Sequence, residues 1–267
     1  RENGLALSRG AELNVSALSA LFLWFRNDLC VHDLSGSTGP LVEGTAARAS
    51  EDEEFRKRVL QLVRDADFGI SSIEVSEEPS ITGSETDLES ARNSHRQTTL
   101  FSWGRMKRRT VTTYHPVAGS NELVGFTLSK DESKGTQRFF ALAGPILDAL
   151  DRGQLVVLDE FECSMHPLLS RKIVELFQSS TANKKGAQLV FSTHDASLMS
   201  QTLMRRDQIW FTEKKESGAT ELFSLYDFDV DKRPRANSAF ERNYFAGRFG
   251  AVPRFGRSLE DLEIDEK

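Results

Sequence analysis

The sequence predicts an α/β chain in which a mostly parallel sheet is flanked by helices, with a helical region ahead of it, and three observations carry the prediction. From Gln154 to Leu158 the chain enters an unbroken apolar stretch, the pattern of a strand buried in a parallel sheet. Around that stretch, helix-like and strand-like segments alternate: Phe139–Leu150 has helical spacing, Leu168–Gln178 follows as a helix, Gln188–Phe191 as a strand, Ala196–Met204 as a helix and Gln208–Phe211 as a third strand. Upstream, Leu5 to Cys30 carries apolar residues at helical spacing with no proline.

Taken in order, the long helix over Leu5–Cys30 gives way to a loop from Val31 to Ser50, rich in Gly, Ser and Thr. Ser50 and Glu53 have capping-box spacing and open a helix whose apolar face is Phe55, Val59, Leu60, Leu62 and Val63. Gly69 ends it, and Ile70–Val75 reads as a short strand. Ser76 to Thr99 is polar and reads as an insertion. Thr110–Tyr114 and Leu123–Leu128 are strands joined by a turn near Gly119-Ser120-Asn121. Pro145 predicts a kink or an early end in the helix that follows. Pro167 suits the first turn of the helix after the apolar strand, and Leu222–Tyr226 pairs with the third strand as a hairpin. The chain therefore divides into a helical and insertion region with short strands over 1–116, an α/β lobe over 117–226 and a tail over 227–267.

Composition narrows the function. With 39% hydrophobic and 28% charged residues in 267, the chain is globular and has material for a sizeable core, which excludes a collagen-like or wholly disordered protein. The net charge of -6 argues against a general nucleic-acid coat, although Arg105-Met106-Lys107-Arg108-Arg109 beside Trp103 is a local basic stretch suited to phosphates or to a solvated strand edge. Two cysteines, Cys30 and Cys163, imply no disulfide framework and point to a reducing, cytoplasmic setting. The longest apolar stretch, Leu18–Phe25, is far short of the ~20 residues of a membrane span. The start, Arg1-Glu2-Asn3, has neither an initiator Met nor a signal peptide, and suggests a fragment or a processed chain.

The chemistry concentrates after residue 130. Leu155-Val156-Val157-Leu158 ends in two adjacent carboxylates, Asp159 and Glu160, and open α/β sheets bind ligands at the carboxyl ends of their strands. In a nucleotide hydrolase the first acid holds Mg²⁺ and the second positions or activates the attacking water; in a structural setting the pair is a solvated turn. Just upstream, Ser133, Gly135 and Thr136 open a helix, where a hydroxyl, a bare glycine and free amides can cradle a phosphate or simply cap the helix. His194 ends the strand Gln188–Phe191 within Ser192-Thr193-His194-Asp195, a place from which an imidazole can report on a γ-phosphate or serve as a turn residue. His166 lies in Cys163-Ser164-Met165-His166-Pro167, at the entrance to the next helix.

The order and spacing of these motifs resemble the C-terminal half of an ABC-type ATPase head, within the P-loop ATPase fold. The resemblance puts Ser133, Gly135 and Thr136 on the signature loop, Asp159 and Glu160 on the Walker B carboxylates, Ser164 to His166 on the D-loop and His194 on the switch histidine. Ser-Lys-Gly-Thr-Gln departs from the transporter signature, and His166 stands where many ABC proteins have Asp. The closer similarity is to AAA-family ATP-binding proteins related to the overcoming-lysogenisation-defect and Rlo-type ATPases of anti-phage loci, and it extends over Phe126 to Pro253, including Asn243-Tyr244-Phe245-Ala246-Gly247-Arg248-Phe249-Gly250-Ala251-Val252-Pro253. It implies ATP and Mg²⁺ as ligands, head-to-head dimerisation, and an effector such as a nuclease in phage defence or DNA maintenance.

A P-loop, Gly-x-x-x-x-Gly-Lys-Ser/Thr, is what grips the phosphates in such proteins, and no Gly-Lys dipeptide occurs in these residues. Gly256-Arg257-Ser258 is a poor imitation, with Arg for Lys and Pro253 inside the loop. The expectation is that another chain or segment carries the P-loop and that the isolated chain binds ATP weakly. Two other functions remain in view: a catalytically silent assembly module, and DNA or RNA binding through the basic stretch. A nuclease centre at Asp227, Asp229 and Asp231 is the least expected, since alternating acids after a strand are usually a solvated turn.

Overall fold

The computed structural model describes residues 15–66, 68–78, 108–228 and 240–253, with Ser8 and Leu13. The chain forms two compact units, Arg1–His194 and Asp195–Lys267.

In the first unit, α1 (Ser16–Asn27) leads directly into β1 (Leu29–Asp33), then α2 (Gly39–Glu51) and α3 (Glu53–Asp65). This corrects three expectations. The N-terminal helix stops at Asn27, where the Asp28 amide bonds to Trp24 O, because Leu29-Cys30-Val31 is drawn into a sheet. The loop expected over Val31–Ser50 is instead the end of β1 and the helix α2, which begins with Pro40 in its first turn. Its buried face is made of small residues, Thr45, Ala46 and Ala49. The α3 cap is Asp52 and not Ser50: its carboxylate accepts the Phe55 amide at 2.9 Å, and Phe55, Val59 and Val63 are buried beneath.

Three antiparallel strands follow: β2 (Ser72–Glu78), β3 (Arg108–Pro116) and β4 (Leu123–Thr127), in the order β2-β3-β4. The expected insertion falls largely on 79–107, outside the described residues, as do Trp103, Arg105, Met106 and Lys107. A one-turn helix α4 (Leu128–Asp131) precedes α5 (Lys134–Arg152). Pro145 does not end this helix, which runs 19 residues. A proline has no N–H for the carbonyl four residues back, and here the buried Thr45 hydroxyl of α2 donates to that carbonyl, Ala141 O, at 3.1 Å. Gly144 makes the approach possible, since a Cβ there would lie 2.2 Å from Thr45 Oγ1.

The parallel sheet consists of β1, β5 (Leu155–Asp159) and β6 (Gln188–Phe191), with β5 in the centre and α6 (Pro167–Gln178) as the crossover between β5 and β6. Together with its flanking helices it is the α/β architecture expected. Side chains alternate between its faces. Val156 and Leu158 are fully buried on one, whereas the register row Val31–Val157–Val190 on the other leaves Val31 43% and Val190 55% exposed.

The second unit holds the expected hairpin, β7 (Trp210–Lys214) with β8 (Thr220–Ser224), paired antiparallel to each other and separate from the parallel sheet. The helix expected over Ala196–Met204 is only a 3-10 turn, Ala196–Leu198, capped by Asp195. A short helix α7 (Phe240–Phe245) and the residues after it supply Phe240 and Phe249 to a core with Ile209, Phe211 and Leu225. Among the described residues no helix is long and apolar enough to cross a membrane, and both cysteines are free thiols.

Candidate functional site

The site grows from the carboxyl ends of β5 and β6. Asp159 ends β5, and Ser192 follows β6 on the neighbouring strand. The Ser192 hydroxyl donates to Asp159 Oδ1 and accepts the Glu160 amide at 3.0 Å. The backbone adds two bonds, Ser192 N to Leu158 O at 3.0 Å and Phe161 N to Ser192 O at 3.1 Å. These bonds turn the chain sharply after Asp159, and Glu160 sits at φ 51, in the left-handed region that disfavours a side chain. Phe161 anchors the turn: it is fully buried, and its ring lies 4.9 Å from that of Phe191. Asp159 and Glu160 are left exposed, and the Glu160 carboxylate has no protein partner among the described residues.

Beyond the acids, Glu162 reaches the next strand end. Its Oε1 accepts the His194 amide at 2.6 Å. Burial alone would raise its carboxyl, but hydrogen bonds from the Thr193 side chain and the His194 amide hold it below the usual range. His194 is exposed at the same strand end as Ser192.

The signature-like loop behaves first as a cap. Ser133 Oγ accepts the Thr136 amide at 3.1 Å and pairs with the Thr136 hydroxyl at 2.8 Å, and Thr136 is 3% exposed, so its contribution runs through Ser133. Gly135 is placed by the turn after β5: a Cβ on it would stand 2.9 Å from the Ser164 carbonyl. Ser164 is itself at φ 60. The structure therefore brings the loop and the Ser164–His166 turn into contact within one chain. His166 caps α6, with Nδ1 accepting the Leu168 amide at 3.2 Å. Ahead of Ser133, Glu132 accepts the Thr113 hydroxyl and lies 2.7 Å from His115 Nε2, which ties the loop to β3.

Three residues at these ends escaped the sequence reading. Glu162 follows Glu160 by two positions and was legible only as a third acid; Ser192 was part of the motif around His194 but carried no role. Asp33, the register partner of Asp159 on β1, gave no signal because β1 itself was missed. Its carboxyl is held below the usual range by bonds from the Ser35 hydroxyl and amide.

Among the described residues no three His, Cys, Asp or Glu side chains gather as a metal site, but Mg²⁺ needs fewer protein ligands. Magnesium takes one or two carboxylates and fills its shell with water and phosphate oxygens, and Asp159 is an exposed carboxylate already oriented by Ser192. Near the start of α5, Arg138 is only 7% exposed, and its Nη1 has no hydrogen-bond partner among the described residues. Asp227, by contrast, spends its carboxylate on the Ser224 amide at 3.0 Å, and Asp229 and Asp231 lie outside the described residues. Arg109 is similarly spent, on Glu43 at 2.9 Å and Glu77 at 3.2 Å.

A family model described as an AAA domain, putative AbiEii toxin of a type IV TA system, matches residues 6–200. The chain belongs to this AAA-domain family. The match covers the first unit almost entirely, including the N-terminal helices and β1, and stops six residues into the second unit. An AAA domain is a nucleotide-binding ATPase domain, which agrees with acids at the end of its central strand. A comparison with curated proteins finds no match.

Proposed function

We propose that this AAA domain supplies the hydrolytic acids and the signature surface of an ABC-type ATPase head, and that a second polypeptide or segment supplies the P-loop. The observation that carries the reading is the Asp159–Ser192–Glu160 linkage, which joins two parallel strand ends and leaves carboxylates exposed there. The open face of the sheet, with Val31 and Val190 exposed, supports a further element packing on it.

In this reading Asp159 holds the magnesium ion, which when bound neutralises charge on the phosphates. Glu160 takes the proton of the attacking water, whose oxygen joins the γ-phosphorus as ADP leaves. His194 senses the γ-phosphate. Ser133 and Gly135 face the nucleotide of a second head in a head-to-head dimer, and closure of that dimer gates an effector such as a nuclease acting on DNA or RNA. A role in phage defence or DNA maintenance follows from the resemblance of the motifs to the ATPases of anti-phage loci.

The test is calorimetric titration of the chain with Mg²⁺-ATP, alone and with a partner bearing Gly-x-x-x-x-Gly-Lys-Ser/Thr. Binding is weak alone, tightens with the partner, and is lost in Asp159→Asn. Robust turnover by the chain alone, abolished by Glu160→Gln, would overturn the need for a partner; an Asp159→Asn complex that binds Mg²⁺-ATP as tightly as wild type would overturn the site.

A further inference from the structure

The turn after β5 is held by a buried ring and by backbone bonds on both sides of Glu162. Phe161, fully buried, fixes the residue before it. Backbone bonds from Cys163 N to Glu160 O at 3.0 Å and from Met165 N to Glu162 O at 2.9 Å fix the residues on both sides. From this platform the carboxylate receives the His194 amide at 2.6 Å and a bond from the Thr193 side chain. An anionic acceptor at that distance forms one of the stronger hydrogen bonds a main chain makes. The segment Thr193–His194 lies past the last paired residue of β6, Phe191, so the sheet ladder does not hold it.

We infer that Glu162 is a positioning residue: its carboxylate clamps the Thr193–His194 main chain, which follows β6, to the acidic turn after β5 that bears Asp159 and Glu160. The inference rests on the proposed reading of His194 for its consequence in catalysis, but the clamp itself is a property of the folded chain. A loop leaving a strand has several backbone arrangements open to it, and the clamp selects one before any nucleotide arrives. Its energetic logic is that of preorganisation, in which ordering is completed in the resting protein.

The experiment is hydrogen exchange by NMR on the whole nitrogen-15-labelled chain, as wild type, Glu162→Ala and Glu162→Gln. In Glu162→Ala the His194 amide exchanges about 10- to 100-fold faster, the range of a hydrogen bond to a charged acceptor, while the Phe140 amide in the core is unchanged. Glu162→Gln keeps an oxygen acceptor and restores most of the protection, which a purely structural loss would not do. Equal His194 exchange in all three proteins overturns the clamp, as does acceleration of Phe140 together with His194 in both variants. A second readout, the His194 imidazole signals on addition of excess Mg²⁺-ATP, separates this inference from the proposed function. If the wild type itself shows no response, the nucleotide reading fails and the exchange data still decide the clamp. If wild type and Glu162→Ala respond alike, the clamp does not position His194 and the inference fails.

Discussion

The seam between α2 and α5 and the carboxyl ends of the parallel strands both carry polar groups, but they handle them in opposite ways. In the seam, the hydroxyl of Thr45 is buried and fully spent on the carbonyl that Pro145 leaves free. At the strand ends, Ser192 is spent on orienting Asp159, and the carboxylates it serves stay exposed. The seam also tolerates no extra atom at Gly144, whereas the strand-end turn holds Glu160 in a conformation that a glycine would adopt more easily. The contrast separates polarity that completes a fold from polarity held in reserve. Only the second kind is a candidate for chemistry.

The largest effect expected is in the seam. Gly144→Ala places a methyl group 2.2 Å from Thr45 Oγ1, between two packed helices. It should cost about 3 kcal/mol, the upper end of overpacking, despite the better helix propensity of alanine. Urea unfolding followed by circular dichroism reads this directly, and an Ala variant as stable as wild type would show that α2 and α5 are not as close as described. Next comes Thr45→Val, which keeps the shape but strips the hydroxyl. The Ala141 carbonyl is then buried without a donor, at a cost of about 1–2 kcal/mol. The double substitution Thr45→Val with Pro145→Ala should recover part of the loss, because residue 145 regains an N–H for that carbonyl.

How much of this was legible depends on where each element keeps its information. The central strand was readable because Leu155-Val156-Val157-Leu158 is buried on one face and half-buried on the other, so its own composition declares it. The acids were readable because they follow that strand directly. β1 was not, since Leu29 and Cys30 keep the helical spacing of the apolar residues in α1, and the segment becomes a strand only by pairing with β5, more than a hundred residues later. Nor was α2, whose buried side is Thr45, Ala46 and Ala49 and carries little hydrophobic contrast. Pro145 misled for a related reason: the rule that a proline ends a helix assumes that the freed carbonyl has no other donor, and the donor came from a distant residue. Within the site, Ser133 and Gly135 were identified as a loop, but the use of Gly135 to clear the Ser164 carbonyl depends on a turn that no local pattern describes.

The smallest expected effects lie at the strand ends, and they sharpen the comparison most. Glu160→Gln changes an exposed side chain without a protein partner among the described residues, so stability should stay within about 0.5 kcal/mol of wild type. Glu160→Gly also removes the left-handed strain, which is on the order of 1 kcal/mol, against which the extra freedom glycine gives the unfolded chain must be set. The net expectation is a gain of a few tenths of a kcal/mol. Urea unfolding of the two variants side by side isolates the backbone term, since both lack the same carboxylate. If Glu160→Gly is the less stable, the turn does not store strain, and Glu160 occupies its position for the fold. If it is the more stable, the native residue is kept at a small cost in stability, which marks the exposed acid as functional in a way the buried Thr45 is not.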